Sequence, residues 1–220
     1  MEQQESLENE SIFFLFYYYT SMTQLYFTGM FHADVGIMYS ILEEVKFYSG
    51  TERQNMIRHK NDGNMGSMNY GYTWKGYLKR DPEGNMVYRT SSPYPGLYKT
   101  KVMDDYPHLE NVFKEFQDLY FPEFNYTSVQ MNKNFKIPRH IDSTNVGESI
   151  LLCLGDYEGG ELVVEGFQAD GSDAIVDNKN SIFQFNGAKF YHWVKPFQGT
   201  RYSLVFFNNK AIAKKMYGTK

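Results

Sequence analysis

Short apolar runs separated by turn-forming residues fill the second half of the chain. Aromatic and β-branched residues are concentrated in six segments that this pattern predicts as strands, over residues 127–134, 149–155, 161–165, 174–176, 181–186 and 202–207. Glycines punctuate these segments, for example at Gly155, Gly171 and Gly187. Several short strands with turns between them predict a β-sandwich or a β-barrel.

Two stretches of the first half keep helical spacing instead. One follows Asp34, a candidate N-cap, and its apolar positions are Met38, Ile41, Leu42 and Val45. The other is predicted over residues 108–120, where Pro122 ends it. The apolar face predicted for this second helix comprises Leu109, Val112, Phe113, Phe116 and Leu119.

The remaining segments of the first half are less regular. Residues 1–10 are polar and acidic and are predicted to be flexible, whereas the Phe- and Tyr-rich residues 11–31 predict strands. Residues 51–107 have weak periodicity and many turn formers, which predicts a loop-rich region. Aromatic residues alternate with lysines and arginines over residues 70–80. This mixture is typical either of a solvated face or of a nucleic-acid groove.

Composition narrows the class of protein. The 220 residues suffice for one domain, which we expect over residues 11–220, with a helical and loop region at 11–125 and a β core at 126–208. A net charge of −4 gives no global signature of a nucleic-acid-binding module, although an enzyme can still carry a local basic groove. The apolar run at residues 12–19 is too short to cross a bilayer, and the acidic stretch before it is unlike a signal peptide.

The single cysteine, Cys153, excludes an internal disulfide framework and indicates a reducing compartment. It lies in an apolar run, where it is predicted to act as a small buried hydrophobe. We therefore expect a soluble intracellular protein of the cytoplasm or nucleus, monomeric by default and without a membrane partner.

The candidate chemistry begins with His140 and Asp142. These residues are two positions apart, so in an extended chain their side chains point to the same face. A third partner is His192, about fifty residues further on. Two histidines and one carboxylate with open positions left over is the arrangement that non-haem iron(II) oxygenases use. A His-x-Asp pair alone is a weak signal, so the neighbouring residues decide its weight.

Arg201 and Ser203 provide a second candidate feature. Strand alternation places both side chains on one face, where the planar guanidinium and the hydroxyl can hold a carboxylate. An arginine at the start of an apolar strand is often only a surface residue. Beside a His-Asp-His triad, however, it is where the far carboxylate of 2-oxoglutarate would bind.

The order of these features resembles the double-stranded β-helix oxygenases. The resemblance covers residues 126–207 and runs from His140-x-Asp142 through Gly159-Gly160 to His192 and Arg201. It implies an α+β, mainly β fold with a double-stranded β-helix (jelly-roll, cupin-like) core and supporting N-terminal helices. It also implies Fe(II), 2-oxoglutarate and O2 as cofactors, with ascorbate as an optional reductant. The intact carboxylate of Asp142 favours oxygen insertion, since the related halogenases carry a small residue there.

The segment at residues 132–149, with an Asn-x-Asn before His140 and an Asn-Val-Gly after Asp142, is similar to the TET/JBP branch. That branch oxidises the C5 methyl group of thymine or 5-methylcytosine in nucleic acid. The resemblance implies nucleic acid, most naturally DNA, as substrate and a base flipped out of the duplex. Candidate substrate contacts are Asn132, Asn134, Tyr126 and the aromatic–basic residues 70–80.

Other functions remain open at this point. The same triad serves protein hydroxylases of the prolyl type and AlkB-like demethylases, so the triad alone does not separate them. A binding module of the cupin type would keep the fold without turning over a substrate.

Overall fold

The computed structural model describes residues 27–29, 32–47 and 65–218. The flexible segment predicted at residues 1–10 and most of the strands predicted at 11–31 lie outside this part. Four helices are present in it: α1 (His32–Glu44), α2 (Lys101–Asp105), α3 (Leu109–Tyr120) and α4 (Lys210–Tyr217). No helix within the described ranges has the length and apolar character needed to cross a membrane.

The strands number twelve in the described residues. The first six are β1 (Phe27–Gly29), β2 (Gly66–Thr73), β3 (Tyr77–Arg80), β4 (Met86–Tyr88), β5 (Tyr98–Lys99) and β6 (Ser128–Lys133). The second six are β7 (Ser149–Gly159), β8 (Leu162–Val164), β9 (Ala174–Val176), β10 (Ser181–Phe185), β11 (His192–Val194) and β12 (Phe197–Phe207). They form a seven-stranded sheet in the order β1-β10-β7-β12-β6-β2-β5, a three-stranded sheet β11-β8-β9, and the hairpin β3-β4.

The chain alternates between the large and the small sheet. From β6 in the large sheet it passes through residues 137–140, which pair with β11 of the small sheet through backbone bonds between His140 and His192 and from Val194 N to Ile137 O. It returns to the large sheet as β7, and the same alternation repeats through β8-β9, β10, β11 and β12. The pairings are antiparallel. This topology is a double-stranded β-helix and confirms the predicted mainly β fold class.

Two separate hydrophobic cores lie on opposite faces of the large sheet. One contains Leu204 and Phe206 of β12 and is covered by α1, α2 and α3. The other contains residues of β7 and β10 together with β8 and β9, so it fills the space between the two sheets. Because successive side chains of a strand point to opposite faces, a single strand supplies both cores.

The six strands predicted in the second half of the chain are present, and two of them, β7 and β12, are longer than expected. β7 continues to Gly159 and β12 begins at Phe197, because the two pair with each other along this whole extension. Of the region predicted as loop-rich at residues 51–107, residues 51–64 lie outside the described part of the chain, and the prediction is wrong over β2. The polar sequence of β2 hides its alternation, in which Met68 and Tyr70 are buried in the helix-covered core. Only the pairing with β6 makes this segment a strand.

Two helical details also differ from the prediction. Helix α1 begins at His32, so Asp34 lies in its first turn and is not the N-cap. On α3, Leu119 is 67% exposed, whereas Gln117 is buried and its Nε2 donates to the carbonyl of Phe124 at 2.7 Å. Gln117 can be buried because this hydrogen bond satisfies its side-chain amide.

Candidate functional site

The structure brings His140, Asp142 and His192 together at one end of the space between the sheets. The two histidines are backbone partners, with His140 N donating to His192 O at 3.0 Å and His192 N donating back at 2.9 Å. Their ring centroids lie 4.2 Å apart. Asp142 follows two residues later and is tied by its N–H to the carbonyl of Gly187 at 2.9 Å. His192 is the first residue of β11.

One ligand atom from each of the three side chains lies within 4.8 Å of the others. His140 Nε2 is 3.4 Å from Asp142 Oδ1, and His192 Nε2 is 3.8 Å from Asp142 Oδ2. Adjacent ligands of a metal ion with bonds of about 2.1 Å stand about 3 Å apart. The triad is close to this spacing, so its donor set and dimensions fit a divalent transition metal.

Hydrogen bonding identifies which nitrogen of each ring faces the centre of the triad. His140 Nδ1 lies 2.8 Å from the carbonyl of Pro138, and His192 Nδ1 lies 3.0 Å from the carbonyl of Phe190. A carbonyl only accepts, so each Nδ1 must carry a proton. In the neutral rings both Nε2 lone pairs therefore point towards the carboxylate. This is the outer support that metal-binding histidines characteristically have.

The two imidazoles differ in their electrostatics. Burial lowers the pKa of His192, and the neighbouring His140 adds to the effect. Burial also acts to lower the pKa of His140, but the hydrogen bonds that its ring makes to the Asp142 carboxylate and to the Pro138 carbonyl outweigh it, so that pKa is raised on balance. The carboxylate therefore favours the protonated form of His140, whereas burial favours the neutral form of His192.

The absence of a side chain at Gly187 makes room for the triad. A Cβ built there would lie 2.7 Å from Asp142 Oδ2 and 3.3 Å from His192 Cε1. Any larger residue would displace one of the three side chains. The sequence predicts only a turn at Gly187, because no local pattern distinguishes a turn glycine from one that makes room for a metal site.

Arg201 lies deeper between the sheets and is 2% exposed. Its guanidinium carbon lies 5.6 Å from the ring centre of Tyr157 and 5.5 Å from that of Phe197. No carboxylate among the described residues forms an ion pair with it, and its buried Nε has no hydrogen-bond partner. Gly160 makes room for it, since a Cβ there would be 3.2 Å from Arg201 Nε. A buried, unpaired cation is costly, so this environment favours an anionic ligand.

A polar row crosses the sheet beside Arg201. Ser203 is paired in register with Asn132 on one side and with Cys153 on the other. Asn132 Nδ2 donates to Ser203 Oγ at 3.1 Å, and Asn132 Oδ1 accepts from Ser67 Oγ at 2.7 Å. The predicted pair of Arg201 and Ser203 therefore does share the face that points between the sheets.

The three predicted substrate contacts lie in different environments. Asn132 belongs to the polar row. Asn134 brackets the backbone of Arg201, accepting from Arg201 N at 2.8 Å through its side chain and donating its own N–H to Arg201 O at 2.7 Å. Tyr126, by contrast, packs edge-on against Phe206, with ring centres 5.0 Å apart, in the helix-covered core. It lies on the opposite face of the sheet from the triad, and a contact of Tyr126 with substrate stays a prediction.

The aromatic–basic residues 70–80 also lie in two environments, the first part buried and the second part exposed. Tyr70 is buried in the helix-covered core, where it packs edge-on against Phe113, and Tyr72 is partly buried. Trp74 and Tyr77 are 49% and 50% exposed, and Tyr88 on the partner strand of the β3-β4 hairpin is 69% exposed. Tyr77 and Tyr88 face each other in register. Tyr88 was not among the sequence-predicted residues, because the pairing that places it there is not visible in the sequence.

No protein-family model and no curated protein matches the sequence. The solved structures similar to it include a 2OG-Fe(II) oxygenase family oxidoreductase from Burkholderia pseudomallei, with 14% identity, a TM-score of 0.48, and coverage of 80% of this chain and 77% of that one. NgTET1 in complex with 5mC DNA has 18% identity, a TM-score of 0.49 and coverage of 87% and 74%. A prolyl-4-hydroxylase from Pseudomonas putida has 12% identity, a TM-score of 0.44 and coverage of 86% and 95%. None of these three structures reaches a TM-score of 0.5, so the function of this chain has to follow from its own residues.

Proposed function

We propose that the protein is an Fe(II)- and 2-oxoglutarate-dependent dioxygenase. In this proposal His140, Asp142 and His192 hold the metal, and Arg201 with Ser203 holds the far carboxylate of 2-oxoglutarate. One observation carries it: two Nε2 lone pairs and a carboxylate converge beside the same inter-sheet core that buries a guanidinium with no acidic partner among the described residues. A metal-binding site and an anion-binding site that share one core suit a metal-chelating dicarboxylate.

The chain's own residues supply binding and orientation. One carboxylate and two neutral imidazoles occupy three positions of a metal ion and leave further positions for co-substrate. When bound, Fe(II) and 2-oxoglutarate supply the oxygen-activating chemistry, with succinate and CO2 as co-products. Phe185, whose ring centre lies 5.0 Å from that of His192, helps to exclude water from the metal side.

The buried position of Arg201 strengthens its attraction for a carboxylate. A charge pair is worth more in a low-dielectric interior than in water, provided that both charges are hydrogen-bonded. The rings of Tyr157 and Phe197 shield the guanidinium from solvent. Ser203 offers a hydroxyl on the same face, two residues along β12.

Anaerobic addition of Fe(II) and 2-oxoglutarate tests the oxygenase assignment. The wild-type protein is expected to develop the visible charge-transfer band of a chelated complex. Asp142→Ala should lose the band, and both His140→Ala and Asp142→Ala should stop succinate production. A wild-type protein without the band would favour a non-catalytic binding module of the cupin type. Full turnover by either variant would disprove the assigned metal ligands.

The substrate we propose is a pyrimidine base in nucleic acid, oxidised at its C5 methyl group. Support comes from the exposed aromatic side chains of the β3-β4 hairpin and its approach, because aromatic rings stack on unpaired bases of any sequence. Such a base can reach the metal only after it is flipped out of a duplex. The rings concerned are those of Trp74, Tyr77 and Tyr88.

Strand register supports this proposal, because the hairpin continues from the end of β2 that is level with the triad end of the large sheet. Gly71 near the end of β2 is level with Ser128, and Ser128 is level with Phe207 at the end of β12. On the far side, β10 ends at Phe185, two residues before Gly187, which binds the backbone of Asp142. Four strand spacings of about 5 Å separate β2, from which the hairpin continues, from β10, so these two strands stand about 20 Å apart across the sheet.

Positive charges accompany the aromatic rings at this end. Lys75 and Arg80 are exposed and form no ion pair with any acid of the described residues. Helix α4, which follows the end of β12, adds Lys210, Lys214 and Lys215. Unpaired lysines and arginines are the side chains that bind phosphates, and this local surplus contrasts with the net charge of −4.

Mass spectrometry of oligonucleotides containing 5-methylcytosine or thymine tests the substrate, with a proline-containing peptide panel as the alternative. Oxidised base is the expected product. Trp74→Ala with Tyr88→Ala should weaken oligonucleotide binding by about thirtyfold or more, since each stacked ring contributes about 1–3 kcal/mol. The Fe(II)–2-oxoglutarate band should be unchanged in that double variant. Hydroxylated peptide without oxidised base would instead assign a prolyl-type protein hydroxylase, and release of an N-methyl group would assign an AlkB-like demethylase.

A further inference from the structure

The sulfur of Cys153 touches the guanidinium that we assign to co-substrate binding. Arg201 Nη2 donates to Cys153 Sγ at 2.9 Å. Cys153 is 0% exposed and lies in the core between the sheets. A packing role alone would be met by any small apolar residue, whereas this sulfur accepts a hydrogen bond from a buried cation.

Asn178 fixes the same sulfur from the other side. Its Nδ2 donates to Cys153 Sγ at 3.2 Å, and the Asn178 side chain is itself buried. The backbone holds the two segments together, because Asn180 N donates to the carbonyl of Cys153 at 2.8 Å. The sulfur thus has two donors directed at it and a defined place in the fold.

The guanidinium is constrained in complementary ways by its neighbours. The rings of Tyr157 and Phe197 flank it, and Asn134 brackets the backbone of Arg201. Tyr157 also has a side-chain hydrogen bond with Arg201. The hydrogen bond to Cys153 fixes the direction of Nη2 in particular, and this orients the other donors because a guanidinium is a rigid planar fork.

We propose that Cys153 is a positioning residue that orients the Arg201 guanidinium towards the 2-oxoglutarate carboxylate without neutralising its charge. This inference rests on the proposed function. A carboxylate at position 153 would form an ion pair with Arg201 and remove its attraction for the co-substrate. Burial raises the pKa of the Cys153 thiol, so the side chain stays a neutral acceptor at physiological pH.

Binding measurements on protein loaded with Mn(II), which avoids turnover, test this role. Cys153→Val is similar in size but lacks a hydrogen-bond acceptor, and Cys153→Ser keeps one. We expect 2-oxoglutarate to bind about tenfold more weakly to Cys153→Val and within about threefold of wild type to Cys153→Ser, as loss of a charge-assisted hydrogen bond predicts. Mn(II) affinity should be unchanged in both.

A second ligand separates positioning from packing. 2-Oxopentanoate has the same chain length and the same chelating end but lacks the far carboxylate. Its affinity should be equal in wild type and Cys153→Val, because it makes no use of Arg201. Leu151→Ala, two residues earlier on the same face of β7, is the matched control for a packing defect and should affect both ligands alike.

The outcomes are distinguishable. If Cys153→Val fails to fold, Cys153→Ala replaces it, since a smaller side chain cannot clash. Affinity for 2-oxoglutarate within twofold of wild type, or an equal loss for both ligands, would overturn the positioning role alone. A wild-type protein that binds no 2-oxoglutarate would overturn the proposed function, and this inference with it.

Discussion

On β12, Leu204 and Phe206 point to the helices, whereas Arg201 and Ser203 point into the space between the sheets. The helix-covered face is apolar and aromatic. Around Phe206 the rings of Phe113, Phe121 and Tyr126 stand edge-on at 5.0–5.7 Å. The opposite face of the same strand carries a buried guanidinium, a hydroxyl and their hydrogen-bond partners.

This difference shows how the fold separates stability from chemistry. Aromatic packing on the helix-covered face needs no polar partner and stabilises the sheet through buried area and ring contacts. On the face that points between the sheets, buried polar groups lower stability unless they are hydrogen-bonded, and Nε of Arg201 has no hydrogen-bond partner. Packing on the helix-covered face can offset the cost of the buried polar groups on the other face, because both faces belong to the same strands.

The largest effect on stability is expected from Phe206→Ala, on the helix-covered face. Its ring is fully buried, and truncating such a ring costs about 3–5 kcal/mol in the free energy of unfolding. Urea denaturation measures this cost. Mn(II) affinity of the folded variant should remain within about threefold of wild type. A large loss of metal affinity in the folded variant would show that the two faces are not separable.

Asp142→Ala, at the metal site, should have the opposite effect: a large loss of metal affinity and little loss of stability. Loss of an outer partner of a metal site already costs 10- to 100-fold in affinity, so loss of the ligand should cost more than about 100-fold. The unfolding free energy of the metal-free protein should change by less than about 1 kcal/mol. Isothermal calorimetry with Mn(II) measures the first quantity, and Asp156→Ala, an exposed carboxylate on β7, is the control.

Gly187→Ala sharpens the comparison through a single methyl group. The added Cβ would lie 2.7 Å from Asp142 Oδ2, so the carboxylate must move and Mn(II) affinity should fall by about tenfold. Gly36→Ala on α1 is the matched control, since nothing lies within 4 Å of its Cβ and alanine favours a helix. Equal metal affinity in the two variants would contradict the role assigned to Gly187.

The smallest effect is expected at Leu119. The sequence pattern assigns this residue to the apolar face of α3, yet it is 67% exposed. Leu119→Gln should therefore change the unfolding free energy by less than about 0.5 kcal/mol. A loss above about 1 kcal/mol in thermal or urea unfolding would mean that α3 packs through a different face.

Several features of the site were accessible from local sequence. The two-residue spacing of His140 and Asp142, and of Arg201 and Ser203, placed each pair on one face because strands alternate with a period of two. Short apolar runs between turn-forming residues predicted six of the strands. They could not reveal β2, whose polar side chains conceal the strand until pairing with β6 is known.

Other features depend on contacts between distant segments. Gly187 appeared to be a turn, Cys153 a small hydrophobe, and Tyr126 a substrate contact. Their environments are set by residues 25–80 positions away, namely Asp142 against Gly187, Arg201 and Asn178 against Cys153, and Phe206 against Tyr126. Strand register determines these neighbours, and no local pattern encodes it.

By itself, the sequence determined the fold class, the alternation of each strand and the residue types that can bind a metal and a carboxylate. Only the tertiary structure decided that His140 and His192 are paired across strands with both Nε2 atoms turned inward, and that Arg201 is buried against a sulfur. The physical reason is that side-chain direction is a local property of the backbone, whereas convergence and burial arise when two sheets close around one space.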